Sequence, residues 1–280
     1  MASLLHRLRV SFPGLSPEWM KTVFLKRCEL DAAGRALPDF LVIGAQKSGS
    51  TSLFNYLCLH PKVHGSFPKE IFFLSREFER GERWYRRHFP RRGVLAGTGA
   101  ITGEATTVYL CSAEAPRRAA NLLPQAKLIA VLREPGARAV SHFHHRCRSG
   151  RENRLIDDVF SEETIARWAA GDSLPEKDAL YFDRGHYASG LRRWVAHYPR
   201  DQILVLEAER MFAEIQATVD RAFAFLGLDP FPLPTTRAFN TSGPAPAKPR
   251  AFHALQRSFA GANRELRDLG FSLNWTSGED

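Results

Sequence analysis

A lysine set inside a glycine-bounded loop is the first feature of this chain that could do chemistry. The loop reads Gly44-Ala45-Gln46-Lys47-Ser48-Gly49-Ser50-Thr51-Ser52. A turn of this kind between a buried strand and a helix points backbone N–H groups, together with the helix dipole, at an anion, and phosphate is the usual occupant. Gly44 and Gly49 keep the glycine spacing of a triphosphate-binding loop, but Ser50 stands where that loop has its lysine. Here the lysine is Lys47, and the hydroxyls of Ser48, Ser50, Thr51 and Ser52 add donors. In a triphosphatase, lysine and a hydroxyl-held Mg²⁺ share the charge of the β- and γ-phosphates. The strand at 128–132 runs into Arg133-Glu134 and not into Asp after four apolar residues, so it does not read as a metal-binding strand. A displaced lysine without a magnesium site suits transfer of a sulfuryl group, whose lower charge needs less neutralisation. The bland alternative is a Gly/Ser turn with an incidental lysine.

The elements that must hold this loop are legible around it. Phe40-Leu41-Val42-Ile43 is an apolar run long enough for a buried strand, and Leu53, Phe54, Tyr56 and Leu57 follow at helical spacing up to His60-Pro61. Lys127–Leu132 predicts a second buried strand, with a helix from near Ala137, and 202–206 predicts a third. Helical patterns occupy 113–122, 155–170, 187–198 and 211–227, the last with a Met and aromatic stripe that reads as core. Strands alternating with helices predict an α/β fold, a single P-loop-type domain with a central parallel sheet flanked by helices. Residues 1–37 show no clean periodicity and read as an N-terminal extension packing on a core domain of 38–280. The stretch 229–250 carries six prolines and reads as a long loop, and a C-terminal helix follows from Phe252.

Composition sets the outer bounds. Apolar residues make up 44% and charged residues 25% of the 280, enough to bury a core without disulfide or metal staples. Cys28, Cys58, Cys111 and Cys147 form no C-x-x-C pair, so they read as buried or incidental thiols of a reducing compartment. No apolar run is long enough to span a membrane, and the N-terminus has no signal-peptide pattern, so the expected address is the cytoplasm. Lys and Arg exceed Asp and Glu by nine, which favours a polyanionic partner or else a basic, solvated surface.

The segment from Phe40 to Leu53 resembles the 5′-phosphosulfate loop of the sulfotransferase superfamily, in the branch of the heparan-sulfate sulfotransferases and their bacterial relatives. Further segments agree in order: Pro68-Lys69-Glu70-Ile71-Phe72-Phe73 looks like K-E-x-x-F-F, and Gly103–Leu110 looks like G-E-A-T-P-x-Y-L. Leu132-Arg133-Glu134-Pro135 with Arg138 and Ser141 looks like L-R-[DE]-P-x-x-R-x-x-S, and Arg184-Gly185-His186-Tyr187 precedes a helix. The resemblance, running from about residue 38 to 275, implies 3′-phosphoadenosine 5′-phosphosulfate (PAPS) as co-substrate and 3′-phosphoadenosine 5′-phosphate (PAP) as product, without a metal. It implies nucleotide binding by Gln46, Lys47, Ser48, Gly49, Ser50, Thr51, Ser52, Arg133, Ser141 and Tyr187, with Arg133 and Ser141 on the 3′-phosphate. A guanidinium fork at a strand end suits a phosphate, and Ser141 lies about two helical turns further on. Glu70 takes the role of general base and Lys47 stabilises the departing bisphosphate. On residues alone, Lys69-Glu70 reads as a surface ion pair, and Arg133 could pair with Glu134.

The chain departs from the animal 3-O-sulfotransferases at Phe72 and Ala105, where they carry His and Lys; Thr106 is the residue that could offer a hydroxyl instead. These departures argue against heparan sulfate and for a bacterial enzyme acting on a hydroxyl, or secondarily an amine, of a small-molecule, lipid or carbohydrate acceptor. Nucleic acid is not an expected partner: Arg83–Phe89 interleaves bases and aromatics, but Trp84, Tyr85 and Phe89 fit one packed helix face. His142, His144 and His145 could bind metal, sit beside a ligand or serve structure alone; Arg146, Arg148 and Arg151 could frame an anion or form a solvated face. Asn240, Ser242, Gly243 and Lys248 lie where relatives close over the nucleotide. The rival functions are a P-loop kinase or nucleotide triphosphatase, and a non-catalytic nucleotide or acidic-glycan binding protein.

Overall fold

Five parallel strands form one sheet, with β2-β3-β1-β4-β5 as their order. They are β1 (Phe40–Gly44), β2 (Val63–Gly65), β3 (Ile101–Ala105), β4 (Lys127–Leu132) and β5 (Ile203–Glu207). The molecule is a computed structural model that describes residues 17–236 and 247–275. The helices that frame the sheet and its site are α1 (Pro17–Leu30), α2 (Ser50–Leu57), α3 (Gly81–Arg86), α4 (Pro135–Arg148), α5 (Glu176–Phe182), α6 (Tyr187–Val195) and α7 (Ile215–Leu226). This is the α/β arrangement the alternation of strands and helices predicts.

Period-two alternation sends successive strand residues into two different cores. Leu41, Ile43, Leu128, Ala130 and Leu132 pack with Tyr85, Leu191 and Trp194 on one face. Phe40, Val42, Ile129 and Val131 pack with Leu53, Phe54, Val219 and Phe223 on the other. Met211 and Phe223 are wholly buried, so the stripe on 211–227 is core. Truncating a side chain such as Phe223 to alanine would cost about 3–5 kcal/mol. A third cluster wraps α4, joining Val140 and Phe143 to Phe160, Tyr181, Phe182 and Phe259.

Several local expectations change. The helical pattern at 155–170 divides into Ile156–Val159 and Glu162–Ala169, because the Ser161 hydroxyl accepts from Thr164 N and caps a new start. The pattern at 211–227 likewise divides into Ala208–Ala213 and α7. The C-terminal helix divides at Phe259 into Phe252–Ser258 and Ala260–Asp268. Residues 17–30, for which the sequence predicts no regular element, form α1. Leu25 and Cys28 turn inward while Trp19 and Leu30 stay exposed, too thin an apolar stripe to show as a period. The sequence also shows no strand at 101–105, since Thr102, Gly103 and Glu104 interrupt any apolar run. Gly103 is required there: a Cβ would sit 2.4 Å from the Phe40 ring on the neighbouring strand. Among the described residues, no helix is long and apolar enough to cross a membrane.

Candidate active site

Three strand ends converge at the carboxyl edge of the sheet, where α/β folds place ligands. β1 delivers the glycine loop, β3 delivers Thr106 and Thr107, and β4 delivers Arg133. Ala45 N donates to Val131 O at 2.7 Å, tying the start of the loop to β4.

The loop has the properties of an anion cradle. Gly49 caps α2 with φ 92° and no side-chain cap, and a Cβ there would meet Met211 and Phe212 within 2.8 Å. Only glycine combines that left-handed backbone with so close an approach. The first intrahelical bond of α2 runs from Leu53 N to Gly49 O, so the amides before it have no acceptor within the helix. Ser48 Oγ is buried without a hydrogen-bond partner, a donor left over for a bound group. Ser50 and Ser52 are buried, whereas Gln46, Lys47, Gly49 and Thr51 are half-buried. These features fit the 5′-phosphosulfate end of a nucleotide.

Lys47, Glu70 and Phe72 are non-glycine residues with φ of 70°, 63° and 62°. A left-handed backbone costs a side-chain-bearing residue about 1–2 kcal/mol. Such strain clusters where geometry serves a site, and here two of the three positions are the candidate catalytic residues. Burial lowers the Lys47 pKa, and the nearby charges of Arg148 and Arg133 lower it further; Glu70 opposes them. Lysine and carboxylate therefore sit within electrostatic reach of one another.

The 68–73 segment carrying Glu70 is held from below by a buried carboxylate. Glu104, 0% exposed, accepts from Tyr85 OH at 2.5 Å, Tyr109 OH at 3.0 Å and Thr106 Oγ1 at 2.7 Å. Burial raises its pKa, and these donors pull it back down. Thr106 Oγ1 in turn accepts from Phe72 N at 3.4 Å, and Glu70 N donates to Ala105 O at 3.1 Å. The hydroxyl expected of Thr106 is thus committed to the interior. Thr107 supplies one to the site instead, donating to Glu70 Oε1 at 2.9 Å. Lys69 Nζ stands 3.6 Å from the same oxygen, so the ion pair read from the sequence exists beside the hydrogen bond.

Arg133 is half-buried and makes no ion pair with a described residue. Glu134 does not neutralise it, because that carboxylate caps α4 through Gly136 N at 2.8 Å and Ala137 N at 2.7 Å. The Tyr187 hydroxyl donates to Arg133 O at 2.9 Å, fixing the end of β4. Ser141 lies half-buried on α4, and its helical neighbours His145 and Arg148 act on Lys47 electrostatically, so one face of α4 looks toward the loop.

Beside Glu70 opens a cavity of about 580 Å³, bordered by Gln46, Thr107, His145 and the arginines at 76, 146, 151 and 184. The three histidines of α4 do not share one site: His142, buried edge-on to Tyr181, and His145 both border the cavity, while His144 Nε2 lies 2.7 Å from Ala247 O. Lys248 places Nζ over the Phe252 ring at 4.4 Å, while Asn240, Ser242 and Gly243 lie outside the described residues. The Arg83–Phe89 segment is a packed face: Tyr85 and Phe89 are buried and Tyr85 stacks on Phe73 at 4.2 Å. Sequence reasoning passed over Thr107, Glu104 and Arg76. The doubled threonine of Gly103-Glu104-Ala105-Thr106-Thr107 was the one available signal, and its alternation decides which hydroxyl faces out.

Residues 37–232 match the family model "Sulfotransferase domain". Human bifunctional heparan sulfate N-deacetylase/N-sulfotransferase 3 is 34% identical over 200 residues, 69% of this chain and 23% of the relative. Mouse bifunctional heparan sulfate N-deacetylase/N-sulfotransferase 4 is 32% identical over the same length and shares. The chain therefore spans about a quarter of the length of these curated relatives. Among solved structures, a sulfotransferase from Alicyclobacillus acidocaldarius superimposes with a TM-score of 0.66 at 24% identity, covering 85% of this chain and 98% of that one. Sequence match and shared fold agree with the loop geometry: the chain belongs to the sulfotransferase family, whose enzymes transfer a sulfuryl group.

Proposed function

We propose that the protein transfers a sulfuryl group from PAPS to a hydroxyl of a small-molecule or carbohydrate acceptor. The observation that carries this reading is the anion-binding loop that holds Lys47, with its buried and unpartnered Ser48 hydroxyl, opening beside a cavity that Gln46 of the same loop and Glu70 both border. When bound, PAPS supplies the sulfuryl group and leaves as PAP. Glu70, oriented by Thr107, takes the acceptor's proton as the new O–S bond forms. Lys47 and the loop amides hold the negative charge that collects on the phosphate side as the old S–O bond breaks. Arg133 and Ser141 hold the 3′-phosphate, for which the free guanidinium of Arg133 is suited.

An amine acceptor is the second reading, favoured by relatives whose names carry N-sulfotransferase. Glu70 would serve it unchanged, taking a proton from nitrogen. Calorimetric titration tests the nucleotide half of the proposal. PAP should bind at least about tenfold more tightly than 5′-AMP, the value of one charged contact; equal affinities would remove the 3′-phosphate from the reading. Labelled PAPS offered with a panel of alcohols and amines, read by mass spectrometry, separates the two acceptor classes.

A further inference from the structure

The cavity beside Glu70 is lined by four arginines and one carboxylate. Arg76 comes from the segment after Phe73, Arg146 from α4, Arg151 from the turn beyond it, and Arg184 from the turn after α5. None of the four makes an ion pair with a described residue. Their recorded contacts are neutral: Arg76 lies over the Phe72 ring at 4.0 Å, Arg146 donates to Arg151 O at 3.1 Å, Arg151 donates to Ser149 Oγ at 2.9 Å, and Arg184 donates to the Gln46 side chain. Arg146 also keeps a buried Nε without a partner. Burial, with Arg146 and Arg76 nearby, holds the Arg184 guanidinium below its usual pKa.

Like charges gathered in one cavity repel by about 1 kcal/mol per pair at 4 Å in water, and more where water is excluded. Among the described residues Glu70 is the one acid that borders the cavity, so the site keeps a positive excess that suits an anion. The nucleotide's expected anchors do not account for it: of the loop only Gln46 borders the cavity, and Ser48, Arg133 and Ser141 do not. Four guanidiniums exceed what one carboxylate can use, whereas a tetrahedral dianion offers oxygens in several directions. The cavity has the size of a small-molecule pocket.

We propose that Arg76, Arg146, Arg151 and Arg184 form a subsite for a phosphate monoester carried by the acceptor, which makes the acceptor a phosphorylated alcohol. This deepens the sulfuryl-transfer reading and rests on it for the word acceptor. The subsite itself is testable apart from that reading.

Methyl phosphate and methyl sulfate serve as the probes, titrated into PAP-saturated protein at constant ionic strength. Methyl phosphate should bind saturably and more tightly than methyl sulfate, and R76Q/R146Q should weaken it by about tenfold to a hundredfold. PAP affinity in that variant should stay within about threefold of the parent. Equal binding of the two probes overturns the phosphate assignment. Unchanged binding in R76Q/R146Q, or a parallel loss of PAP affinity, overturns the subsite. If R76Q/R146Q does not fold, R76Q alone decides, since the Arg76 side chain is exposed and only stacks on Phe72. Should the parent bind PAP no better than 5′-AMP, the nucleotide reading fails, and the subsite still stands or falls on the variant comparison in nucleotide-free protein.

Discussion

Arginines crowd two regions of this protein, and the two treat their charge in opposite ways. Around α1 and α3 four arginines have acids beside them: Arg35 and Arg91 share Asp31 at 2.7 and 2.5 Å, Arg86 meets Glu82 at 2.5 Å, and Arg87 meets Glu29 at 2.6 Å. Leftover donors there go to backbone carbonyls, as from Arg35 to Phe89 O and from Arg86 to Arg35 O. Around the cavity, Arg76, Arg146, Arg151 and Arg184 have no such partner among the described residues, and behind them Arg138 is fully buried with Nε and Nη1 unsatisfied. Paired charge fastens one part of the chain to another. Unpaired charge costs stability where it is partly buried, as at Arg146 and Arg184, and is explained by a ligand that arrives later.

The sharpest way to break this contrast is at the one acid among the unpaired cations. Glu70→Gln should lower turnover by about a thousandfold, within the range of general-base loss, while PAP affinity and the melting temperature barely change. A variant that melts much earlier would mean that Glu70 serves the fold as the acids near α1 do.

Acid titration compares the regions through their buried histidines. Burial lowers His88, beside α3, to about 4, with its contact to Phe67 O opposing. Burial lowers His142 to about 2, and Arg138, Arg184 and Arg146 add to the shift. Both rings are neutral in the fold and readily protonated when unfolded, with an ordinary value near 6.5. Stability from each is therefore complete above pH about 6.5 and is lost as pH falls towards the folded value. The loss is about 1.4 kcal/mol per pH unit for each histidine. Denaturant unfolding should show the His88 share levelling off near pH 4 and the His142 share continuing below it. A slope unchanged in His142→Phe would remove the cavity's contribution.

The smallest effect belongs to the paired region. Asp31→Asn should cost less than about 1 kcal/mol, as for a largely solvent-screened pair, and leave PAP affinity and turnover intact. Hydrogen bonding to Arg35 first, and to Arg91, holds the Asp31 carboxyl below its usual pKa, so this contribution is present near neutrality and fades in strong acid. A change in PAP binding as large as that from a cavity variant would erase the distinction between the regions.

Much of the site was legible because phosphate binding is local. Gly44 to Ser52 carries its own turn, donors and helix start within one stretch of chain, and the buried runs at 40–43 and 127–132 are long enough to identify as strands. β3 was hidden because its interior is polar, with Glu104 and Thr102 satisfied by partners distant in sequence. Helix breaks at Ser161 and Phe259 were hidden because apolar spacing continues across them. The choice between Thr106 and Thr107 required knowing which way the end of β3 faces.

By itself, then, the sequence determined the α/β alternation, the phosphate loop with its displaced Lys47, and the family resemblance carried by Glu70, Arg133 and Ser141. Each of these rests on neighbours along the chain. Only the tertiary structure decided that Glu70 leans on Thr107, that Glu104 holds its loop, and that arginines 76, 146, 151 and 184 share one cavity. Those arginines are spread over more than a hundred residues, from Arg76 to Arg184, and no spacing rule relates them. Charge complementarity acts through space, so it becomes visible only when the chain has folded and the acids that could have paired with them are seen to lie elsewhere.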